Sequence, residues 1–137
     1  MSQGERIDLI RRAQDAWNRR DIEDLLVLCN PEIEFVNSPT AVEPGTRRGF
    51  DEVTAAIRAQ WEILLDARQD IDQTFDRGDE IVTLGRISRR MPGSESRLEQ
   101  PILVSWTIRD GNVTRIAILG FGGGEVQEAL SAAGLEG

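Results

Sequence analysis

Ile7, Ile10, Gln14 and Trp17 recur at helical spacing, with Leu9, Ala13 and Ala16 beside them, and predict an amphipathic helix over residues 5–19. Asp21 is placed to cap a short second helix whose Leu25, Leu26 and Leu28 face inward, and Asn30-Pro31 to stop it. The period then shortens to two. In EIEFVNS, Ile33, Phe35 and Asn37 alternate with Glu34, Val36 and Ser38, which reads as a strand. The stretch SPTAVEPGTRRG is too irregular for an element and long enough for a lid. Asp51 caps a third helix with Val53, Ile57, Trp61 and Leu64 on its inward face; the alternative inward face, Ala56, Gln60 and Ile63, fits the spacing nearly as well.

From residue 68 onward the pattern is that of strands. Ile71, Gln73 and Phe75 share one face of the first. After a turn at Gly78-Asp79, Val82, Leu84, Arg86 and Ser88 share a face of the second. Pro92-Gly93 makes the next turn, and Ile102, Val104, Trp106 and Ile108 fall on one side of the third. Asp110-Gly111 is a short-hairpin signal, NVTRIAILGF is the last strand, and EVQEALSAAGL is a closing helix that ends at Gly134. Helix, helix, strand, helix and then consecutive hairpins is an α+β order with a curved, mainly antiparallel sheet over three helices of the N-terminal half and a short C-terminal helix. Gly85 and Gly120 fall within strands, where a bend or bulge needs them. No repeat or boundary divides residues 1–137, which are expected to form one domain. The opposite sheet face would carry Ile81, Thr83, Ile87, Leu103, Ser105 and Thr107. It needs a cover, and a homodimer through that face supplies one.

Composition narrows the chemistry. Net charge is −8, all 16 basic residues are Arg, and Arg47-Arg48 and Arg86, Arg89 and Arg90 are diluted by acids, so no nucleic-acid partner is expected. The chain has no His, which removes His-based triads, bases and metal ligands, and no metal or cofactor is expected. The single Cys29, in LLVLCN, reads as a small buried apolar residue and suits a reducing compartment; with no apolar leader or membrane-length stretch, a cytoplasmic location is expected. The glycines of GFGGGE lack the Lys-Ser/Thr of a phosphate loop and end a strand, so they read as a hinge.

AWNRRD, EIEFVNSP, the helix start GFDEV, SWTIRDGNVTRI and EALSAAGL, in this order, make the chain resemble the SnoaL-like branch of the nuclear-transport-factor-2-like superfamily. The resemblance implies a cone-shaped fold with a pocket between sheet and helices, on which isomerases, cyclases, epoxide hydrolases, dehydratases and non-enzymatic domains are all built. Against the ketosteroid isomerase pattern, Ser38 stands where the strand-end carboxylate would be, the helix-one Tyr falls near Ala13, and the second acid near Val104. Against limonene-epoxide-hydrolase-like enzymes, Phe35, Asn37 and Pro39 follow the aromatic-x-Asn-x-Pro motif and Arg86 matches the strand Arg. The acids of that set fall at Ser88 and near Ile118, so its water-activating device retains only the Arg.

The expected site is a pocket for a compact, hydrophobic small molecule with a polar or anionic end, lined by Trp17, Phe35, Trp61, Trp106 and Ile118. Arg86 and Asn37 would anchor the polar end and are the weak catalytic candidates, with Ser88 in support. Each has a plainer reading: Arg86 in an internal salt bridge or on a strand shifted by one residue, Asn37 as a turn cap, the tryptophans as core. Gln73 is a further hydrogen-bonding candidate on the Arg86 wall, Glu43 a carboxylate in the lid, and Glu34 points to solvent or a dimer. The alternative is a non-catalytic interaction domain with a filled core and a sheet-face dimer.

Overall fold

The computed structural model describes residues 1–38, 41 and 44–135. The chain runs through α1 (Gln3–Asn18), α2 (Ile22–Leu26), β1 (Cys29–Asn37), β2 (Gly45–Arg48), α3 (Gly49–Ile63), β3 (Arg68–Arg77), β4 (Glu80–Arg90), β5 (Arg97–Arg109), β6 (Asn112–Phe121) and α4 (Gly123–Ala133). The strands form one six-stranded sheet in the order β2-β1-β6-β5-β4-β3. All neighbours are antiparallel except β1 and β6, which run parallel. This is the expected α+β architecture, an open curved sheet with helices.

Local chemistry explains most boundaries. Ser2 and Glu5 form a reciprocal capping box at the start of α1, and the Asp21 carboxylate accepts the Asp24 backbone N–H at the start of α2. Asp110 and Gly111 both have positive φ, the geometry of the two-residue turn that follows strand twist. Gly134 closes α4 in the left-handed conformation. Two boundaries differ from the sequence reading. The Gly45–Arg48 part of the supposed lid is a strand paired with β1, which covers an edge that would otherwise be open. Arg48, extended and without a side-chain cap, precedes α3, and Asp51 lies inside its first turn.

The larger correction concerns β4. Pairing with β5 sets Ile81 opposite Trp106, Thr83 opposite Val104 and Gly85 opposite Ile102. Directly opposed residues share a face, so Ile81, Thr83 and Ile87 look inward with the helices, and Val82, Leu84, Arg86 and Ser88 look outward. On β3 a register shift between Ile71 and Gln73 places Ile71 with the inner core and Phe75 with the outer one. Gly85 faces this bulge, where any Cβ would overlap the Asp70 carbonyl. The apolar part of the outer face has an intramolecular cover: Val126 and Leu130 of α4 pack on Val82 and Leu103, with Phe75 and Leu84 at the margin. α4 approaches so closely because Gly120 beneath it has no side chain; a Cβ there would lie 3.0 Å from the Val126 Cα.

Candidate functional site

Between α1, α3 and the inner sheet face lies a cavity of about 510 Å³. Its walls are mainly apolar. Trp17 comes from α1, Phe35 from β1, Ala56 and Ile57 from α3, and Val104 and Trp106 from β5, with Ile116, Ile118 and Phe121 from β6. The size falls within the range of small-molecule sites, whose walls are characteristically apolar and aromatic.

Both inward tryptophans are held by their indole N–H. Trp17 Nε1 donates to Gln60 Oε1 at 3.2 Å, and Trp106 Nε1 donates to Thr83 Oγ1 at 2.9 Å. The second bond depends on Thr83 facing inward. Asn18 ties α1 to the sheet by bonding both the N–H and the C=O of Gln69, at 2.8 and 2.9 Å. The polar groups on the wall are Gln14, Gln60 and Gln69 on the α1, α3 and β3 sides, and Asn37 and Ser38 at the end of β1. Ser38 Oγ donates to the Glu125 carboxylate at 2.5 Å, and the Phe121 backbone N–H donates to the same oxygen at 3.1 Å. Among the described residues lining the cavity none is charged.

Of the expected lining, Trp17, Phe35, Asn37, Trp106 and Ile118 stand on the cavity wall. Trp61 does not. It packs against the core behind Trp17, with the rings 6.2 Å apart and tilted by 56°. Arg86 is on the other side of the sheet, 46% exposed, with Nε 3.0 Å from Asp72 Oδ2 and Nη1 3.5 Å from Glu99 Oε1. The hydrogen bonds to Asp72 raise its pKa further. The β4 register is the reason: the guanidinium pairs with carboxylates on the solvent side of the sheet. Ser88 shares that outer face and accepts from Arg97 Nε at 2.8 Å, and Gln73 is exposed. Glu34, half-buried at its sheet position, accepts from Arg48 at 3.1 Å. Glu43 and Pro39 lie outside the described residues.

Cys29 is buried, its Sγ 3.3 Å from the Leu25 carbonyl, and burial pushes its thiol up to about 12. No group of three or more potential metal ligands is found among the described residues, and no described helix is long and apolar enough to cross a membrane. The polar wall residues that the sequence reading missed are Ser38 and three glutamines. Gln14 and Gln60 were visible as polar interruptions of apolar helical stripes; Gln69, at a strand start, gave no such signal.

Solved structures with the same fold share little sequence with the chain. One is a nuclear-transport-factor-2-like protein of unknown function from Burkholderia pseudomallei, at 22% identity and TM-score 0.74, covering 86% of this chain and 90% of that one. TerC, co-crystallised with polyporic acid, has 23% identity and TM-score 0.73, with 93% and 98% covered. A Catenulispora acidiphila protein of ketosteroid isomerase-like fold, in complex with trimethylamine, has 14% identity and TM-score 0.69, with 80% and 82% covered. No curated protein matches the chain. Residues 10–116, from the middle of α1 into β6, match the SnoaL-like domain family, and the chain belongs to that family.

Proposed function

We propose that this domain binds a compact, uncharged, mainly apolar small molecule in the cavity between α1, α3 and the sheet. The observation that carries the reading is a space of about 510 Å³ with no charged side chain among its described lining residues. An ionised ligand there would lose its hydration without a counter-charge, which costs several kcal/mol, so the anionic end expected with Arg86 is dropped. The volume also speaks against a filled-core interaction domain.

Native mass spectrometry of the protein with neutral lactones, enones and aromatic ketones, beside the matching carboxylic acids, tests this. Retention of neutral compounds and not of the acids is expected. Retention of the acids alone, or of nothing, would overturn it.

One contact favours a second reading, in which a bound ligand is turned over by a lyase, isomerase or hydrolase step. Ser38 stands on the wall and donates to Glu125, which gives a carboxylate one hydrogen bond from the cavity. Under this reading Glu125→Gln abolishes turnover and spares binding; equal turnover in the variant would exclude it. The homodimer belongs here as well. Because α4 occupies the apolar part of the outer face, the pairing surface is the polar remainder around Arg86, Asp72 and Glu99. Sedimentation as a monomer at micromolar concentration would set the dimer aside. A buried free thiol suits a reducing, cytoplasmic setting.

A further inference from the structure

α4 is held to the sheet by two kinds of contact. Val126 and Leu130 pack on Val82 and Leu103 in a small apolar cluster separate from the main core. The second contact is polar and reaches the cavity. Glu125, in the first turn of α4, accepts one hydrogen bond from Ser38 Oγ and another from the Phe121 backbone N–H, and Ser38 and Phe121 both line the cavity. Hydrogen bonds to a carboxylate are about twice as strong as neutral ones.

The helix is weakly fixed by its own sequence. It has 11 residues, too few for stability alone in water, and its N-cap, Gly122, at φ 91°, offers no side-chain bond. At the other end Arg77 Nη1 reaches the Ala133 carbonyl only at 3.4 Å. Such an element opens and recloses locally while the sheet stays folded. Each opening takes Glu125 away from Ser38 and Phe121. With water in the cavity, a water molecule can accept the Ser38 proton instead. An apolar molecule packed on Phe121 and Ser38 excludes that water, and opening then costs more.

We infer that α4 is a cover latched from the cavity: a ligand seated against Ser38 and Phe121 holds Glu125, and through it α4, closed over Val82 and Leu103. This rests on the cavity being the ligand site. It adds regulation of the opposite sheet face, which is covered when the cavity is filled and intermittently exposed when it is empty. By linkage, closure of α4 tightens the ligand by the same factor.

Hydrogen–deuterium exchange of the α4 amides, read against those of β4 and β5 in the intact chain, tests this. The probe is 2-acetonaphthone, with quenching of tryptophan fluorescence to establish that it binds. Without the probe, Ser38→Ala is expected to speed α4 exchange about tenfold and to leave β4 and β5 unchanged. Glu125→Ala, which cuts the latch without altering the cavity wall, is expected to do the same. Saturating probe is expected to slow α4 exchange about fivefold or more in the wild type and in neither variant. Wild-type α4 exchange in both variants, or exchange that quickens equally in β4 and β5, would overturn the latch. A bound probe that leaves α4 exchange unchanged, or slows it equally in the variants, would overturn the coupling and leave the cavity reading standing. No binding of the probe to the wild type would overturn the coupling together with that reading.

Discussion

Two side chains show how burial decides chemistry in this domain. Cys29 is buried against α2, and loss of hydration holds its thiol far above the ordinary range. The neutral thiol is therefore the form the fold favours. Its contribution is fully present below pH 9, the ordinary value, and is lost as pH rises toward about 12. At pH 10 the wild type should be about 1 kcal/mol less stable, relative to Cys29→Ala, than the same comparison gives at pH 7. Urea denaturation of both proteins at the two pH values measures this difference; a pH-independent difference would mean the thiol is hydrated. Arg86 is the opposite case. It is half exposed and paired with equally exposed carboxylates, so Arg86→Ala should leave the urea midpoint and ligand binding unchanged. A large loss of binding in that variant would return Arg86 to the site.

At the scale of elements, glycine positions and register do what side-chain patterns could not announce. Gly85 faces the β3 bulge and Gly120 lies under α4, and each has backbone where a Cβ would go. Gly85→Ala should destabilise by about 2 kcal/mol or more, as overpacking against rigid backbone does, and Gly120→Ala should act likewise by displacing α4. Wild-type denaturation midpoints in either variant would mean the sheet can give way. The helices, the hairpin turns and the inward set Ile102, Val104, Trp106 and Ile108 were legible in the sequence because each rests on local spacing. The phase of β4 was not. IVTL is apolar on both faces, since one side meets the inner core and the other meets α4, so alternation had nothing to choose between. That single ambiguity carried Arg86, Ser88 and Ile81 to the wrong sides. It also hid α4's role as the cover of the outer face. β2 escaped for a different reason: four residues, GTRR, with no apolar alternation are a strand only because β1 offers them an edge.

At the scale of the molecule, charge is kept off the cavity wall. The chain carries 40 formally charged residues, 16 basic and 24 acidic, yet none is among the described residues lining the cavity. The wall is a low-dielectric space with amides, the Ser38 hydroxyl and indole N–H groups as its polar features, none of which titrates in ordinary buffers. Affinity for a neutral ligand such as an aromatic ketone should therefore stay constant from about pH 6 to pH 9, and should vary little with salt, because no ion pair is made or broken on binding. Fluorescence titrations across that range, at low and high ionic strength, test it. A step in affinity inside the window, or a strong salt dependence, would mean that a charged group reaches the ligand. The first suspect would be Glu125, which is one hydrogen bond from the wall through Ser38, and Glu125→Gln would then flatten the profile. A flat profile in the wild type would instead confine recognition to shape and to the uncharged polar groups of the wall.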